Sequence, residues 1–188
     1  MPPKVKITKE DIVRTALGIV RQSGPVAINA RTLASALNCS TQPIFSNFAT
    51  MEELHQAVAE KAQLLYQEYT DREMASQEHP AYKASGMAYI RFAKEERELF
   101  KLLFMCDQSE GSGSTDPKLF DDMVTFVQGY TGLSQEDARL FHLELWACVH
   151  GIATMFATGF LDLPWELVSR MTSDVYLGLR TQYERKES

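Results

Sequence analysis

The chain has 188 residues, 45% of them apolar, with a net charge of −6 at pH 7, which suits a globular protein of one sizeable core or two small ones. Its three cysteines fit neither a zinc site nor a disulfide framework, so we expect a reducing, cytoplasmic compartment. No signal peptide is expected, because Lys and Pro come first in the chain and no apolar stretch follows them. No membrane-spanning segment is expected either, since the most apolar run, Leu145 to Leu161, is shorter than the roughly 20 residues of a span.

The negative total hides an uneven distribution of charge. Residues 1–47 carry six Lys and Arg side chains against two acidic ones, a net charge of +4, which leaves −10 for the remainder. A basic head on an acidic body is typical of a small DNA-binding domain joined to a separate domain, although surface charge also clusters by chance.

Helix-start and helix-stop residues divide the first 50 residues into a basic arm, Lys4 to Lys9, and three short helices. Thr8 with Asp11 predicts a capping box at the first helix, and Gly24 followed by Pro25 ends it. Asn29 is a suitable cap for the second helix.

The second and third helices have the spacing of a helix-turn-helix. Asn38 lies in the turn, where a left-handed backbone favours Gly and then Asn, and Ala34 is small enough for the helices to cross closely. The residues expected to face inward at the crossing are Leu33, Leu37 and Ile44. The third helix, capped by Ser40 or Thr41, would then be free to lie in a DNA major groove.

The remaining sequence is also helical, because no alternating run rich in Val, Ile and Thr appears. Start signals for the fourth to ninth helices include Thr50 with Glu53, His79–Pro80, Pro117, Ser134 with Asp137, and Pro164. A polar loop is predicted from Asp107 to Asp116. The expected fold class is all-α with about nine helices: a helix-turn-helix head at residues 1–50 and a helical ligand-binding and dimerisation bundle at residues 51–188.

The eighth predicted helix is apolar on almost every face between Leu140 and Phe160. A helix that is apolar on every face must be covered on every face. The other helices of a body of this size can cover one side of it, and a second copy of the chain most simply covers the other side. We therefore expect helices eight and nine to pair with a second copy in a four-helix interface. An internal core helix is the alternative.

Three segments together resemble the TetR family of transcriptional regulators: TKEDIVRTALGIVRQSG, the helix-turn-helix, and PIFSNFATMEEL. The resemblance covers roughly the first 60 residues and implies nine helices in this order. The family often has Tyr where this chain has Phe45, and Lys where it has Met51, and both family residues usually contact DNA phosphates. The stretch from Trp146 to His150 and Gly151 resembles the Trp…His-Gly signature of one branch of TetR-like C-terminal domains.

The DNA contacts are expected from the arm and the helix-turn-helix. Gln and Asn pair with adenine, and Thr or Pro can touch a thymine methyl group. Phe45 suits the core as well as the groove. The candidate DNA-binding residues are Lys6, Arg31, Thr32, Ser40, Thr41, Gln42, Pro43, Phe45, Ser46 and Asn47.

Aromatic and Met side chains on helices five to eight are candidates to line an effector pocket, although such a set equally suits plain core. They are Tyr89, Phe92, Phe100, Phe104, Phe120, Met123, Trp146, His150 and Met155. The spacing of His142, Glu144 and His150 is poor for a metal, and a satisfied interior histidine is the better interpretation of His150.

The resulting hypothesis is a homodimeric DNA-binding regulator, a repressor, released from a palindromic operator by a small, largely apolar effector. Without a phosphate-binding loop, nucleophile elbow, paired catalytic carboxylates or metal cluster, we expect no enzyme, no catalytic residue, no metal and no cofactor. The alternative is a helical protein-binding adaptor without specific DNA recognition.

Overall fold

Helices make up all the regular structure in the computed structural model, which describes residues 7–105 and 117–186. The α-helices are α1 (Lys9–Ser23), α2 (Ala30–Ala36), α3 (Gln42–Asn47), α4 (Met51–Ser76), α5 (Ala81–Glu95), α6 (Arg97–Phe104), α7 (Pro117–Thr131), α8 (Gln135–Thr158) and α9 (Trp165–Lys186). A short 3-10 helix, Pro25–Ala27, follows α1. The described residues contain no strand, so the all-α prediction of about nine helices is confirmed.

The described chain forms two compact units. The first comprises residues 7–65 and 98–105, and the second comprises residues 66–97 and 117–186. The division at residue 50 into a DNA-binding domain and a ligand-binding domain stays a prediction. The predicted loop Asp107 to Asp116, and the arm residues Lys4 and Lys6, lie outside the described residues.

The ends of α1 and α2 follow their capping residues. The Asp11 amide donates to Thr8 Oγ1 at 3.1 Å and the Thr8 amide donates to Asp11 Oδ2 at 3.1 Å, which completes the predicted capping box. Gly24 ends α1 with φ +80°, a conformation that other residues adopt at a cost. Asn29 Oδ1 accepts the Arg31 amide at 3.0 Å at the start of α2.

The turn between α2 and α3 has the predicted geometry. Asn38 takes φ +51°, and the Cys39 amide donates to the Ala34 carbonyl at 2.9 Å. Leu33 and Ile44 are fully buried, whereas Leu37 is only half-buried. The crossing therefore depends on two large apolar side chains rather than three.

The predicted side-chain cap of α3 is wrong. Thr41 precedes the helix, but its backbone is already helical, with φ −72° and ψ −15°, and its hydroxyl makes no capping hydrogen bond. A capping side chain needs an extended backbone to reach the amides of the first turn. Thr41 therefore keeps its hydroxyl for other partners.

In the second unit, α8 is the central helix and contacts α5, α7 and α9. Ser134 caps it by accepting the Asp137 amide at 3.1 Å, as predicted. Phe141, on α8, is fully buried and makes edge-to-face contacts with Tyr176 and Tyr183 of α9. This apolar centre orders α5, α8 and α9 around a common core.

By length and composition, α8 could also cross a membrane, and 44% of its most apolar window is buried within the protein. A buried core helix satisfies the same criterion, so the feature is weak evidence for a span.

Candidate DNA interface and ligand cavity

The first unit presents the outer edge of α3 to solvent. Ile44 anchors the helix from below, while Gln42 is exposed and Phe45 is 52% exposed. The side chains of Thr41 and Gln42 make no hydrogen bond within the described part of the chain. Two polar groups and one aromatic ring are therefore available to a partner on this edge.

Three other predicted DNA-binding residues already bond within the unit. Ser46 Oγ donates to the Gln42 carbonyl, Asn47 Nδ2 donates to the Pro43 carbonyl, and Thr32 Oγ1 donates to the Ala27 carbonyl, each at 2.8 Å. Thr32 also accepts the Asn29 amide at 3.1 Å, so its hydroxyl holds the start of α2. The Asn47 carboxamide keeps its oxygen for an outside donor.

The remaining candidates differ in their access to solvent. Arg31 and Ser40 are exposed, and the Arg31 guanidinium forms no ion pair among the described residues. Pro43 is half-buried, and Lys6 lies outside the described residues. Lys9 is already engaged, since its Nζ lies 3.0 Å from Glu53 Oε1. Arg31 is therefore a cation on α2, the first helix of the helix-turn-helix, without an ion-pair partner among the residues that the structure describes.

The second unit contains a cavity of about 250 Å³ among α5, α8 and α9, bounded by the end of α7. Its lining residues are His79, Pro80, Tyr82, Lys83, Gly86, Tyr130, Leu145, Val149, Thr172, Ser173, Tyr176 and Leu177. The wall is mostly apolar and carries few polar groups, the usual character of a small-molecule site.

Lys83 is the charged group of this wall. Its ammonium donates to Ser169 Oγ and to Ser173 Oγ, both on α9 and both at 2.8 Å. Burial lowers the pKa of Lys83, because desolvation disfavours the charged form. The lining residues include no Asp or Glu, so no carboxylate of the wall neutralises the ammonium.

None of the nine residues predicted to line an effector pocket borders this cavity. Phe100 and Phe104 belong to the first unit, where their rings lie 5.2 Å apart. In the second unit Phe92 is fully buried, Tyr89 is buried, and Phe120, Met123 and Met155 are half-buried. The pocket role of these side chains stays a prediction.

Three of the predicted pocket residues do meet one another. Tyr89 Oη and His150 Nδ1 are hydrogen-bonded at 2.9 Å, and the His150 ring stacks on Trp146 with 4.9 Å between centroids. Trp146 is 43% exposed, so this contact reaches the outer face of α8. His150 is therefore a satisfied, partly buried histidine.

A second Tyr–His pair lies on the same two helices. Tyr82 Oη and His142 Nδ1 are hydrogen-bonded at 2.9 Å, and His142 is buried. Burial lowers the pKa of both His142 and His150, which favours the neutral rings at pH 7. No three His, Cys, Asp or Glu side chains of the described chain are arranged to hold a metal ion.

The sequence interpretation missed Lys83 and its two serine partners. Ser169 and Ser173 are one helical turn apart and therefore share a face of α9, which the sequence does show. The pairing of this face with Lys83, 86 and 90 residues earlier, follows only from the packing of α5 against α9.

Comparison with known proteins bears on the same region. Residues 82–174 match the model of the tetracyclin repressor-like C-terminal domain. No curated protein matches the chain significantly. The match covers most of the second unit, whereas the resemblance identified in the sequence covers the helix-turn-helix, so two separate parts of the chain indicate the same family. The chain belongs to the TetR family, whose members are soluble, DNA-binding transcription regulators rather than enzymes.

Proposed function

We propose that the protein is a cytoplasmic transcriptional repressor that binds a palindromic operator as a homodimer and leaves it when a small, largely apolar effector binds. The observation that carries this proposal is the exposed edge of α3, where the polar side chains of Thr41 and Gln42 lack partners among the described residues. Unpaired polar groups on the second helix of a helix-turn-helix suit base recognition.

The side chains on this edge, and Arg31 on α2, can each contact a particular group of DNA. The Gln42 carboxamide can form two hydrogen bonds with adenine, and the exposed Phe45 ring can contact a thymine methyl group. The Thr41 hydroxyl and the Arg31 guanidinium suit phosphate oxygens, which position the protein without reading sequence. Affinity from such phosphate contacts falls steeply as salt concentration rises.

The outer faces of α8 and α9 support dimerisation. Leu143 on α8 is 40% exposed and Leu167 on α9 is 42% exposed, on two helices that pack side by side. A Cβ atom added at Gly151 or Gly178 would meet no atom within 4 Å, so another helix can approach closely there. Exposed apolar side chains beside small residues are typical of a helix–helix interface.

Effector release needs only modest coupling between the two ligands. In some conformations of the dimer, the distance between the two helix-turn-helix units does not match the operator. An effector that binds such a conformation more tightly than the DNA-bound one lowers the affinity for the operator, by at most the difference between its two binding free energies. About 1–3 kcal/mol is sufficient, since it changes affinity about 5- to 150-fold.

Selection of bound duplexes from a random DNA pool, with the full chain, tests the recognition step. We expect an enriched palindrome whose half-sites are about 34–36 Å, or a multiple, apart. Enrichment of no sequence over random duplex at physiological salt would overturn the proposal.

Light scattering coupled to size exclusion tests the dimer. Leu143→Glu should convert a particle of two chains into one of a single chain, because it brings charge into an apolar interface. The matched control is Leu64→Glu, which changes an exposed leucine of α4 and should leave the dimer intact. A wild-type protein that is monomeric at micromolar concentration would contradict the proposed interface.

A protein-binding adaptor is the second candidate, favoured by the exposed Phe45 ring and the uncharged Met51. Salt dependence separates the two functions. Binding to DNA phosphates weakens by orders of magnitude between low and high salt, whereas an apolar protein contact does not.

A further inference from the structure

We propose that the cavity among α5, α8 and α9 binds an organic monocarboxylate with a compact apolar body, its carboxylate held by Lys83. The inference names the chemical class of the effector. Its role in regulation rests on the proposed function, in which an effector releases the protein from DNA. It is argued from the charge, the shape and the hydrogen bonding of the cavity wall.

The charge of the wall selects an anion. Lys83 is the one Lys or Arg side chain of the lining, which contains no Asp or Glu, and none of the described carboxylates forms an ion pair with it. Two Oγ atoms, of Ser169 and Ser173, accept hydrogen bonds from its Nζ. An ammonium has three donors, so one donor remains for a ligand, and an anion would supply the missing countercharge.

The position of Lys83 on α5 strengthens this selection. Lys83 lies in the first turn of α5, which contains no acidic residue and has no side-chain cap. The first-turn amides and the helix dipole already make this end positive, so a cation there is unfavourable without an anion nearby. Pro80, Tyr82 and Lys83 from this helix end all border the cavity.

The rest of the wall selects an apolar body of limited size. Leu145 and Val149 of α8 are buried on one side of the cavity, and the rings of Tyr82, Tyr130 and Tyr176 contribute further apolar surface. A cavity of about 150 Å³ holds benzene, so about 250 Å³ accommodates one aromatic ring with a short acid chain. A second carboxylate would find no second Lys or Arg side chain in the wall.

Calorimetric titration of the full wild-type chain with four probes tests the proposal without DNA. The probes are 3-phenylpropanoate, its neutral amide 3-phenylpropanamide, the cation 3-phenylpropylamine, and acetate, which lacks the apolar body. We expect the phenylpropanoate to bind about 10- to 150-fold more tightly than the amide, the range expected for a hydrogen bond to a charged group. The amine and acetate should not bind measurably at millimolar concentration.

Variants then assign the binding to this cavity. Lys83→Met should lose the preference for the carboxylate over the amide, and Lys83→Arg should retain it. The matched control is Lys61→Met, which removes an exposed lysine of α4 that does not border the cavity and should leave affinity unchanged. If Lys83→Met fails to fold, equal affinity of the wild-type chain for the carboxylate and the amide still overturns the inference.

Equal affinity for the carboxylate and the amide, wild-type binding by Lys83→Met, or no binding of phenylpropanoate at millimolar concentration would overturn the inference. None of these results bears on operator recognition, which the DNA selection measures separately. A carboxylate that binds through Lys83 but leaves the operator complex intact would retain the site and remove its role as effector site.

Discussion

The helix-turn-helix and the α5–α8–α9 bundle are held by contacts of very different range along the chain. In the helix-turn-helix, Asn29 caps α2 through residues two and three positions later, and the turn closes between Ala34 and Cys39. In the bundle, Tyr82 meets His142 across 60 residues and Lys83 meets Ser173 across 90. The first region is specified by neighbours, and the second by helices that come together only in the folded chain.

The difference also separates the two proposed sites. The DNA-reading edge is an exposed surface on short helices, whose side chains need only a rigid support. The cavity is a partly open space between helices, whose wall depends on the packing of three longer helices. We expect the edge to tolerate changes in solvent-exposed residues and the cavity to respond to changes in helix packing.

We expect the largest change in stability from a substitution of Ile44, the buried residue that supports the exposed edge of α3. Ile44→Ala should lower the free energy of unfolding by about 2–5 kcal/mol, because it leaves a cavity where a fully buried side chain was packed. Urea denaturation measures this change. Val26→Ala, at a position 94% exposed, is the matched control and should change stability by no more than about 0.5 kcal/mol. Equal effects would mean that α3 is not anchored by Ile44.

The second largest effect is expected on DNA binding, from a substitution of Gln42 on the exposed edge of α3. Gln42→Ala should weaken binding to the selected operator by about 1–3 kcal/mol, or about 5- to 150-fold, through loss of a paired base contact. Its binding to random duplex and its stability should not change, since the side chain has no partner within the described chain. Fluorescence anisotropy with both duplexes measures the difference. Gln56→Ala, on the exposed surface of α4, is the control.

A smaller effect tests how local the turn is. Asn38→Ala should lower the free energy of unfolding by about 1 kcal/mol, because a Cβ without a polar group disfavours φ +51°. Asn38→Gly should be neutral or slightly stabilising at the same position. Denaturation of the two variants side by side gives the comparison, and an Ala variant as stable as the Gly variant would count against a backbone requirement.

The smallest effect belongs to the bundle and depends on pH. His142 has a lowered pKa in the folded state, so below the unfolded pKa of about 6.5 the unfolded chain binds more protons. The free energy of unfolding should therefore fall as pH decreases from 7 to 5. His142→Gln should make this dependence shallower, and Gln56→Ala, which removes no titratable group, should not. Urea denaturation across that pH range measures the slope of the free energy of unfolding against pH. Equal slopes for wild type and His142→Gln would contradict a lowered pKa of His142 in the folded state.

Much of the helical layout was predictable because its signals are local. Thr8 with Asp11, Asn29, and Ser134 each act on amides within three residues, so the letters alone mark the ends of these helices. The cap of α3 failed as a prediction because Thr41 is already helical, a detail of backbone conformation that residue type does not reveal.

The cavity was beyond prediction for a related reason. Aromatic residues such as Phe92 and Phe141 have the same sequence pattern whether they fill a core or line a pocket, and both are fully buried. What distinguishes a wall residue is the absence of a neighbour on one side, which depends on the fit between helices distant in the chain.

By itself, the sequence determined the helices, their order, the left-handed turn at Asn38 and the family, because capping, turn geometry and helical periodicity act over a few residues. Only the tertiary structure decided which apolar side chains are covered, that Lys83 reaches two serines of α9, and where a space remains between the helices. These outcomes depend on how side chains far apart in the chain fill a shared volume, and that volume exists only once the helices have packed.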